Sequence, residues 1–245
     1  MKLQAEKLNI GYGNDKVVFR DISFSANEGE MIALLGVNGI GKSTLLRTIS
    51  GLQKSVNGNI SVGEKQLENL PVQERAKLIS IVLTERIFVD NISVREFIAL
   101  GRSPYTNWLG KLSNEDLAEL ENVISVMKIE KLQHKLFNQI SDGEKQKVLI
   151  ARALCQQTPV IILDEPTAFL DFRNKKDILE LLASVSQQMK KIVILSTHDI
   201  EASLEYCSKC WLMTEDEKFV EIKRTENFRT EVMKLLFADT LTGHS

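Results

Sequence analysis

Gly36-Val37-Asn38-Gly39-Ile40-Gly41-Lys42-Ser43-Thr44 fits the phosphate-binding pattern G-x-x-x-x-G-K-[ST] with no mismatch. The run Met31-Ile32-Ala33-Leu34-Leu35 before it reads as an apolar strand, and residues 42–49 after it read as a helix ended by Gly51. Three glycines let the backbone curl so that successive N–H groups point inward and hold phosphate oxygens at a helix N-terminus. Lys42 supplies a point charge for the β- and γ-phosphates, and the Ser43 hydroxyl is placed for Mg²⁺. A chance glycine-rich turn would explain the glycines alone. It does not explain strand, loop, lysine and helix in register.

Two further runs, at 160–163 and 192–195, are short, uniformly apolar and β-branched, as strands buried on both faces of a parallel sheet are. Between them residues 173–190 have helical spacing, with Ile178, Leu181, Leu182 and Val185 on one face, giving a strand–helix–strand crossover. The first strand runs into Asp164-Glu165-Pro166-Thr167. Ligands of open α/β sheets bind beyond the carboxyl ends of the strands, so this pair is expected beside the phosphate loop. Asp164 reads as a Mg²⁺ holder acting through water, and Glu165 as the general base for an attacking water. Acidic residues that merely open a helix would explain one carboxylate more easily than two. His198, in Ser196-Thr197-His198-Asp199, ends the next strand at the same edge. A lone histidine is usually structural, but this position suits a γ-phosphate contact that places the water.

Ile140-Ser141-Asp142-Gly143-Glu144-Lys145-Gln146 precedes a helix, and Ser141 with Glu144 forms an S-x-x-E capping box. The same serine and glycine at a helix N-terminus also read as a second phosphate site. Residues 2–10 and 16–25 look like strands around Gly11-Tyr12-Gly13-Asn14, and residues 57–63 like another. Helical signals dominate 94–101, 115–127 and 143–155, with a strand at 78–83 ahead of them. The expected fold is α/β: a mixed-sheet core, an antiparallel β flank and an inserted helical subdomain.

A chain of 245 residues is long enough for one large core, or a core with a subdomain. Its net charge of −2 offers no electrostatic grip on nucleic acid. No apolar run approaches the roughly 18–20 residues of a membrane helix, and Met1-Lys2-Leu3-Gln4-Ala5-Glu6 has no signal-peptide core. The expectation is a cytosolic protein whose membrane role, if it has one, comes through a partner. Cys207 and Cys210 form a C-x-x-C without a second ligand pair or a thioredoxin-like context, so they read as small residues leading into the strand Trp211-Leu212-Met213.

In order, these features resemble the nucleotide-binding subunit of an ATP-binding cassette (ABC) transporter, a P-loop NTPase, over nearly the whole chain. Residues 36–44 resemble Walker A, 140–144 the signature loop, 160–165 Walker B, Phe169-Leu170-Asp171 the D-loop, and His198 the switch histidine. Tyr12 sits where the family stacks an aromatic ring on adenine. The resemblance implies a single cassette, with a nucleotide core at about 1–85 and 156–222, a helical subdomain at about 86–155 and a short C-terminal helix within 223–245. It implies ATP and Mg²⁺ as cofactors. The ATP-binding set would be Tyr12, Gly36, Asn38, Gly39, Ile40, Gly41, Lys42, Ser43 and Thr44, with Ser43 and Asp164 at the metal. It also implies a head-to-tail homodimer, in which Ser141, Gly143 and Glu144 complete the partner's site in trans. Glu165 and His198 would carry the chemistry.

Two departures stand out. The signature reads ISDGE where the family commonly has LSGGQ, so Asp142 brings a negative charge near a phosphate and must point away from it. At the Q-loop, where a glutamine should contact Mg²⁺, this chain has Thr84-Glu85; Thr84 matches the position and Glu85 is the more capable ligand. Gly101-Arg102-Ser103-Pro104-Tyr105 resembles a G-R-x-P-[YH] element of importers that carry iron–siderophore complexes, haem or cobalamin. It also reads simply as a helix C-terminus followed by a proline turn. The implied protein is the ATPase of such an importer, working with integral membrane permease subunits and a substrate-binding protein at the cytoplasmic face of the plasma (inner) membrane. The competing readings are a soluble ABC ATPase of the iron–sulfur assembly type and an exporter cassette. A helix is expected at 226–237.

Overall fold

Two sheets flank the phosphate loop in a computed structural model, which describes residues 1–13, 16–85 and 87–236. The first sheet is antiparallel, with β1 (Lys2–Tyr12) between β2 (Lys16–Asn27) and β4 (Asn57–Val62), and the two-residue β5 (Lys65–Gln66) outside β4. The expected strands at 2–10, 16–25 and 57–63 are all there. Gly11 and Tyr12 lie inside β1 rather than in the turn, and Asn14 lies outside the described residues.

The second sheet holds β3 (Met31–Gly36), β6 (Ile79–Val82), β7 (Val160–Asp164), β8 (Ile192–Ser196), β9 (Lys209–Met213) and β10 (Phe219–Lys223). Its order is β10-β9-β3-β8-β7-β6, and every pairing is parallel except β10 on β9, which makes it mixed. Strand β10 escapes a sequence reading because Phe219-Val220-Glu221-Ile222-Lys223 is short, only partly buried and of mixed polarity at the sheet's edge. The two inner faces explain the apolar runs. Met31, Ala33 and Leu35 of β3, with Ile161, Leu163, Val193 and Leu195, enter one core. Ile32 and Leu34, with Val160, Ile162, Ile192 and Ile194, enter the other. Alternate residues point to opposite faces of a strand, so a strand covered on both sides must be apolar throughout.

Helix α1 (Lys42–Ile49) covers the second core through Leu45, Leu46 and Ile49, together with the first sheet. The short α2 (Val72–Ala76) leads to β6. Helices α3 (Val94–Ala99), α4 (Asn114–Val126) and α5 (Asp142–Cys155) form the inserted segment, close to the expected spans. Each starts at a complete capping box, on Ser93–Glu96, Ser113–Asp116 and Ser141–Glu144. Their apolar faces run without a break into the core beneath α6 (Phe172–Gln188). In α6 the deeply buried positions are Ile178, Leu179, Leu182 and Val185, while Leu181, expected on that face, is only half-buried. Helices α7 (Ile200–Tyr206) and α8 (Phe228–Leu236) follow β8 and β10; α8 falls within the expected 226–237, and Phe237 lies outside the described residues.

The G-R-x-P-Y element is not a simple helix cap. Gly101 keeps an ordinary right-handed backbone, and a Cβ there would lie 2.3 Å from the Arg152 carbonyl oxygen of α5, so the glycine permits a close crossing. Arg102, 4% exposed, donates to Asp116 Oδ1 at 2.7 Å, to the Cys155 carbonyl at 2.8 Å and to Gln157 Oε1 at 2.8 Å. The Tyr105 ring lies over its guanidinium at 4.1 Å. One arginine thus ties α4 to the C-terminal end of α5.

Candidate nucleotide site

The phosphate loop reaches its shape at three glycines, Gly36 (φ 151°), Gly39 (φ 79°) and Gly41 (φ 114°), in backbone regions that side chains rarely adopt. Gly41 is the N-cap of α1. No side chain caps this helix, and its first turn carries no acidic residue. The positive end of α1 is therefore left open, with its N–H groups unclaimed by any cap. Helices α3, α4 and α5, by contrast, each close their N-terminus with a serine. Lys42 lies along the loop, 6% exposed, donating to the Gly36 and Val37 carbonyls at 2.7 and 3.0 Å. Burial pushes its pKa down, while the charges of Glu165 and Asp164 push it back up. Asn38, Gly39 and Ser43 are exposed at the open end, and Ile40 is half-buried below. Tyr12 stands 58% exposed beside the loop, its hydroxyl 3.0 Å from Thr44 Oγ1, so one hydrogen bond places the ring at the loop's edge.

Asp164 closes β7 and is 6% exposed. It pairs in register with Ser196, the last residue of β8. The Ser196 hydroxyl donates to Asp164 Oδ1 at 2.6 Å and accepts the Glu165 N–H at 2.9 Å. Glu165 takes a left-handed backbone (φ 51°) as the chain leaves the strand. Its Oε1 lies 2.5 Å from His198 Nε2. The two carboxylates, the histidine and Lys42 thus share one edge of the sheet. Sequence reading passed over Ser196; its signal was a polar residue ending an apolar strand level with Asp164.

At the Q-loop position the two candidates separate. Thr84 Oγ1 donates to the Asp164 carbonyl at 2.8 Å. Glu85, expected as a metal ligand, instead has Oε1 on Arg47 Nη2 at 2.8 Å, with its side chain 71% exposed. The arginine that claims it stands in the last turn of α1, a partner that sequence alone did not indicate.

Ser141, Gly143 and Glu144 lie at the start of α5, and among the described residues no hydrogen bond joins them to the phosphate loop. The Glu144 carboxylate accepts from the Ser141 N–H and hydroxyl, both at 2.8 Å, and these bonds hold it below the usual carboxylate range. Asp142 turns toward Lys145 Nζ at 3.6 Å on its own helix, where a negative charge suits the first turn. A groove of about 340 Å³ opens between this end of α5 and the Asp164–Glu165 edge, with Thr84, Phe88, Asp142, Glu165 and Phe169 along it.

Cys207 and Cys210 are fully buried free thiols. Burial pushes both up, Cys210 to about 12, so neither is a ready metal ligand or nucleophile. Among the described residues no group of three His, Cys, Asp or Glu side chains could hold a metal unaided, and no helix is long and apolar enough to cross a membrane.

Comparison with known proteins places this geometry. The family model described as ABC transporter matches residues 19–168. An ABC transporter ATP-binding protein of Methanocaldococcus jannaschii is 36% identical over 236 residues, covering 96% of this chain and 81% of the relative. The iron(3+)-hydroxamate import ATP-binding protein of Bacillus subtilis is 28% identical over 235 residues, covering 96% and 87%. A solved structure classed as a metal-chelate type ABC transporter, in an inward-facing conformation, superposes with a TM-score of 0.81 at 27% identity, covering 96% of this chain and 88% of that one. The chain belongs to the ABC transporter family, as an ATPase cassette.

Proposed function

We propose that the protein is the ATP-hydrolysing subunit of a membrane importer for an iron chelate, haem or cobalamin-type substrate, acting as a head-to-tail homodimer. The observation that carries the ATPase half is the shared sheet edge, where Lys42, Asp164, Glu165 and His198 converge beside the uncapped N-terminus of α1. The open helix end and the loop N–H groups suit phosphate oxygens, and the exposed Tyr12 ring suits adenine. Ser43 and Asp164 are the residues that would hold Mg²⁺; one Asp164 oxygen is fixed by the Ser196 hydroxyl, which sets the direction of the carboxylate. Mg²⁺, when bound, neutralises the β- and γ-phosphate oxygens. Thr84 rather than Glu85 is the proposed Q-loop residue, because its hydroxyl is already on the Asp164 backbone.

In the reaction, Glu165 takes a proton from the attacking water as the water oxygen bonds to the γ-phosphorus and the bond to ADP breaks. His198 orients the Glu165 carboxylate through its 2.5 Å contact and brings an imidazole to where phosphate charge develops. Ser141 and Gly143 present their helix end to the partner's nucleotide, and closure of the dimer moves the α3–α5 segments that drive the permease subunits. A substrate-binding protein outside the membrane would deliver the cargo.

The importer half rests on the names of the relatives and on the metal-chelate type neighbour. Its test is purification of the tagged protein from detergent-solubilised membranes, with turnover measured on the complex. A stoichiometric polytopic partner, with hydrolysis that falls by roughly 10²–10⁴ in Glu165→Gln while nucleotide binding persists, is the expected result. Soluble partners alone would remove the importer reading, and unchanged turnover in Glu165→Gln would remove the base.

A further inference from the structure

The first turn of α6 touches both functional ends of the subunit. Asp171 caps the helix, accepting the Asn174 N–H at 2.9 Å, and Asn174 Nδ2 donates back to Asp171 Oδ2 at 2.7 Å. That bond fixes the Asn174 amide across Gly143 of α5, where an added Cβ would lie 3.0 Å from Asn174 Cγ. One turn later, Asp177 Oδ2 stands 3.9 Å from Lys147 Nζ, also on α5. Between them Lys175 Nζ donates to Asp199 Oδ2 at 3.2 Å. Asp199 follows His198, whose Nε2 meets Glu165. Asn174, Lys175, Asp177 and Lys147 are not used by the mechanism above.

We propose that this turn is a strut joining the signature helix of a subunit to its own switch histidine, with Lys175 as the positioning residue. The proposal rests on the dimeric ATPase reading, in which Gly143 faces the partner's nucleotide while His198 and Glu165 face the subunit's own. Packed contacts do not compress smoothly, so a shift of α5 when the partner's nucleotide binds is carried through Asn174 and Asp177 to α6. Lys175 passes it to Asp199 and hence to His198. The two nucleotide sites of the dimer are coupled in this way through each subunit. Half-exposed ion pairs contribute little to stability, so the effect of cutting them is positional.

The test is the ATP dependence of hydrolysis by the full-length dimer, for wild type, Lys175→Met, Asp177→Asn and Lys175→Arg, with nucleotide affinity and thermal midpoint measured alongside. A cooperative wild type whose Hill coefficient drops toward about 1 in Lys175→Met and Asp177→Asn, with affinity within about twofold, supports the strut; Lys175→Arg restores the coefficient because it keeps the charge. A coefficient unchanged in Lys175→Met and Asp177→Asn, whether or not the thermal midpoint falls, overturns the proposal. So does a wild type that is already non-cooperative. A wild type with no ATP turnover instead overturns the ATPase reading, and the strut with it.

Discussion

Asp164 and Glu165 are adjacent in sequence, yet the proposed reaction asks for different surroundings, one fixed in place and one free to take a proton. The serine at the end of the neighbouring strand provides the difference: its hydroxyl holds an Asp164 oxygen and its lone pair accepts the Glu165 N–H, so the backbone turns and Glu165 swings toward His198. The same logic of local partners separates Thr84 from Glu85. A carboxylate is the better Mg²⁺ ligand in isolation, but Glu85 already has a partner in Arg47, whereas Thr84 is held at Asp164. Thr84→Val should therefore lower Mg²⁺-dependent turnover at subsaturating Mg²⁺, with recovery as Mg²⁺ is raised. Glu85→Gln should leave it close to wild type, since an exposed ion pair is worth about 1 kcal/mol or less. Turnover against Mg²⁺ concentration for the two variants checks this; the reverse order would return Glu85 to the metal.

At the scale of elements, α5 carries the proposed signature residues at one end and is anchored at the other by Arg102. Burial raises the Asp116 carboxyl pKa, but the Ser113 N–H, the Arg102 guanidinium and the Ser113 hydroxyl outweigh it and hold the group below its ordinary 3.8. A depressed carboxylate pKa stabilises the fold above the ordinary value and stops doing so as pH falls through the folded one. The clamp is thus intact near neutrality and fails only in acid, below the ordinary carboxylate range. Removing one partner of a buried pair costs on the order of 3 kcal/mol, or about 6–12 °C in a chain of this size. Arg102→Met should lose that much at pH 7, and the loss should shrink as pH falls through the folded Asp116 value, which lies below the ordinary 3.8. Thermal melts across pH check it; a loss independent of pH would mean that packing against Tyr105, not the charge, is what Arg102 supplies. Most of the elements were legible because their periods and caps are local: the apolar runs of β3, β7 and β8, and the capping boxes of α3, α4 and α5. What was not legible depends on distant partners. Leu179 rather than Leu181 faces inward because the sheet below decides the helix rotation, Gly101 is a glycine because of a carbonyl on α5, and Glu85 is turned by a residue 38 positions away.

For the whole molecule, the proposed site is only half built within one chain. Lys42, Asp164, Glu165 and His198 share an edge, while Ser141 and Gly143 stand on α5 with no bond to the phosphate loop among the described residues. A closed two-fold dimer uses the same patch twice, so a signature in each subunit can complete the Walker A of the other. Complementation distinguishes this from a site completed within one chain. Lys42→Ala damages the Walker A half of a site and Ser141→Ala the signature half, and each homodimer carries two damaged sites. In the mixed dimer of a trans arrangement, both lesions fall in one composite site and the other is wild type throughout. Equal mixing with subunit exchange should then restore up to roughly a quarter of wild-type turnover, because about half the dimers are mixed and each has one of two sites intact. Sites that depend on each other through the first turn of α6 would fire less readily alone, and the recovery would fall below that ceiling. If each chain completed its own site, both lesions would stay with their own subunits, every site would keep one, and mixing would restore nothing.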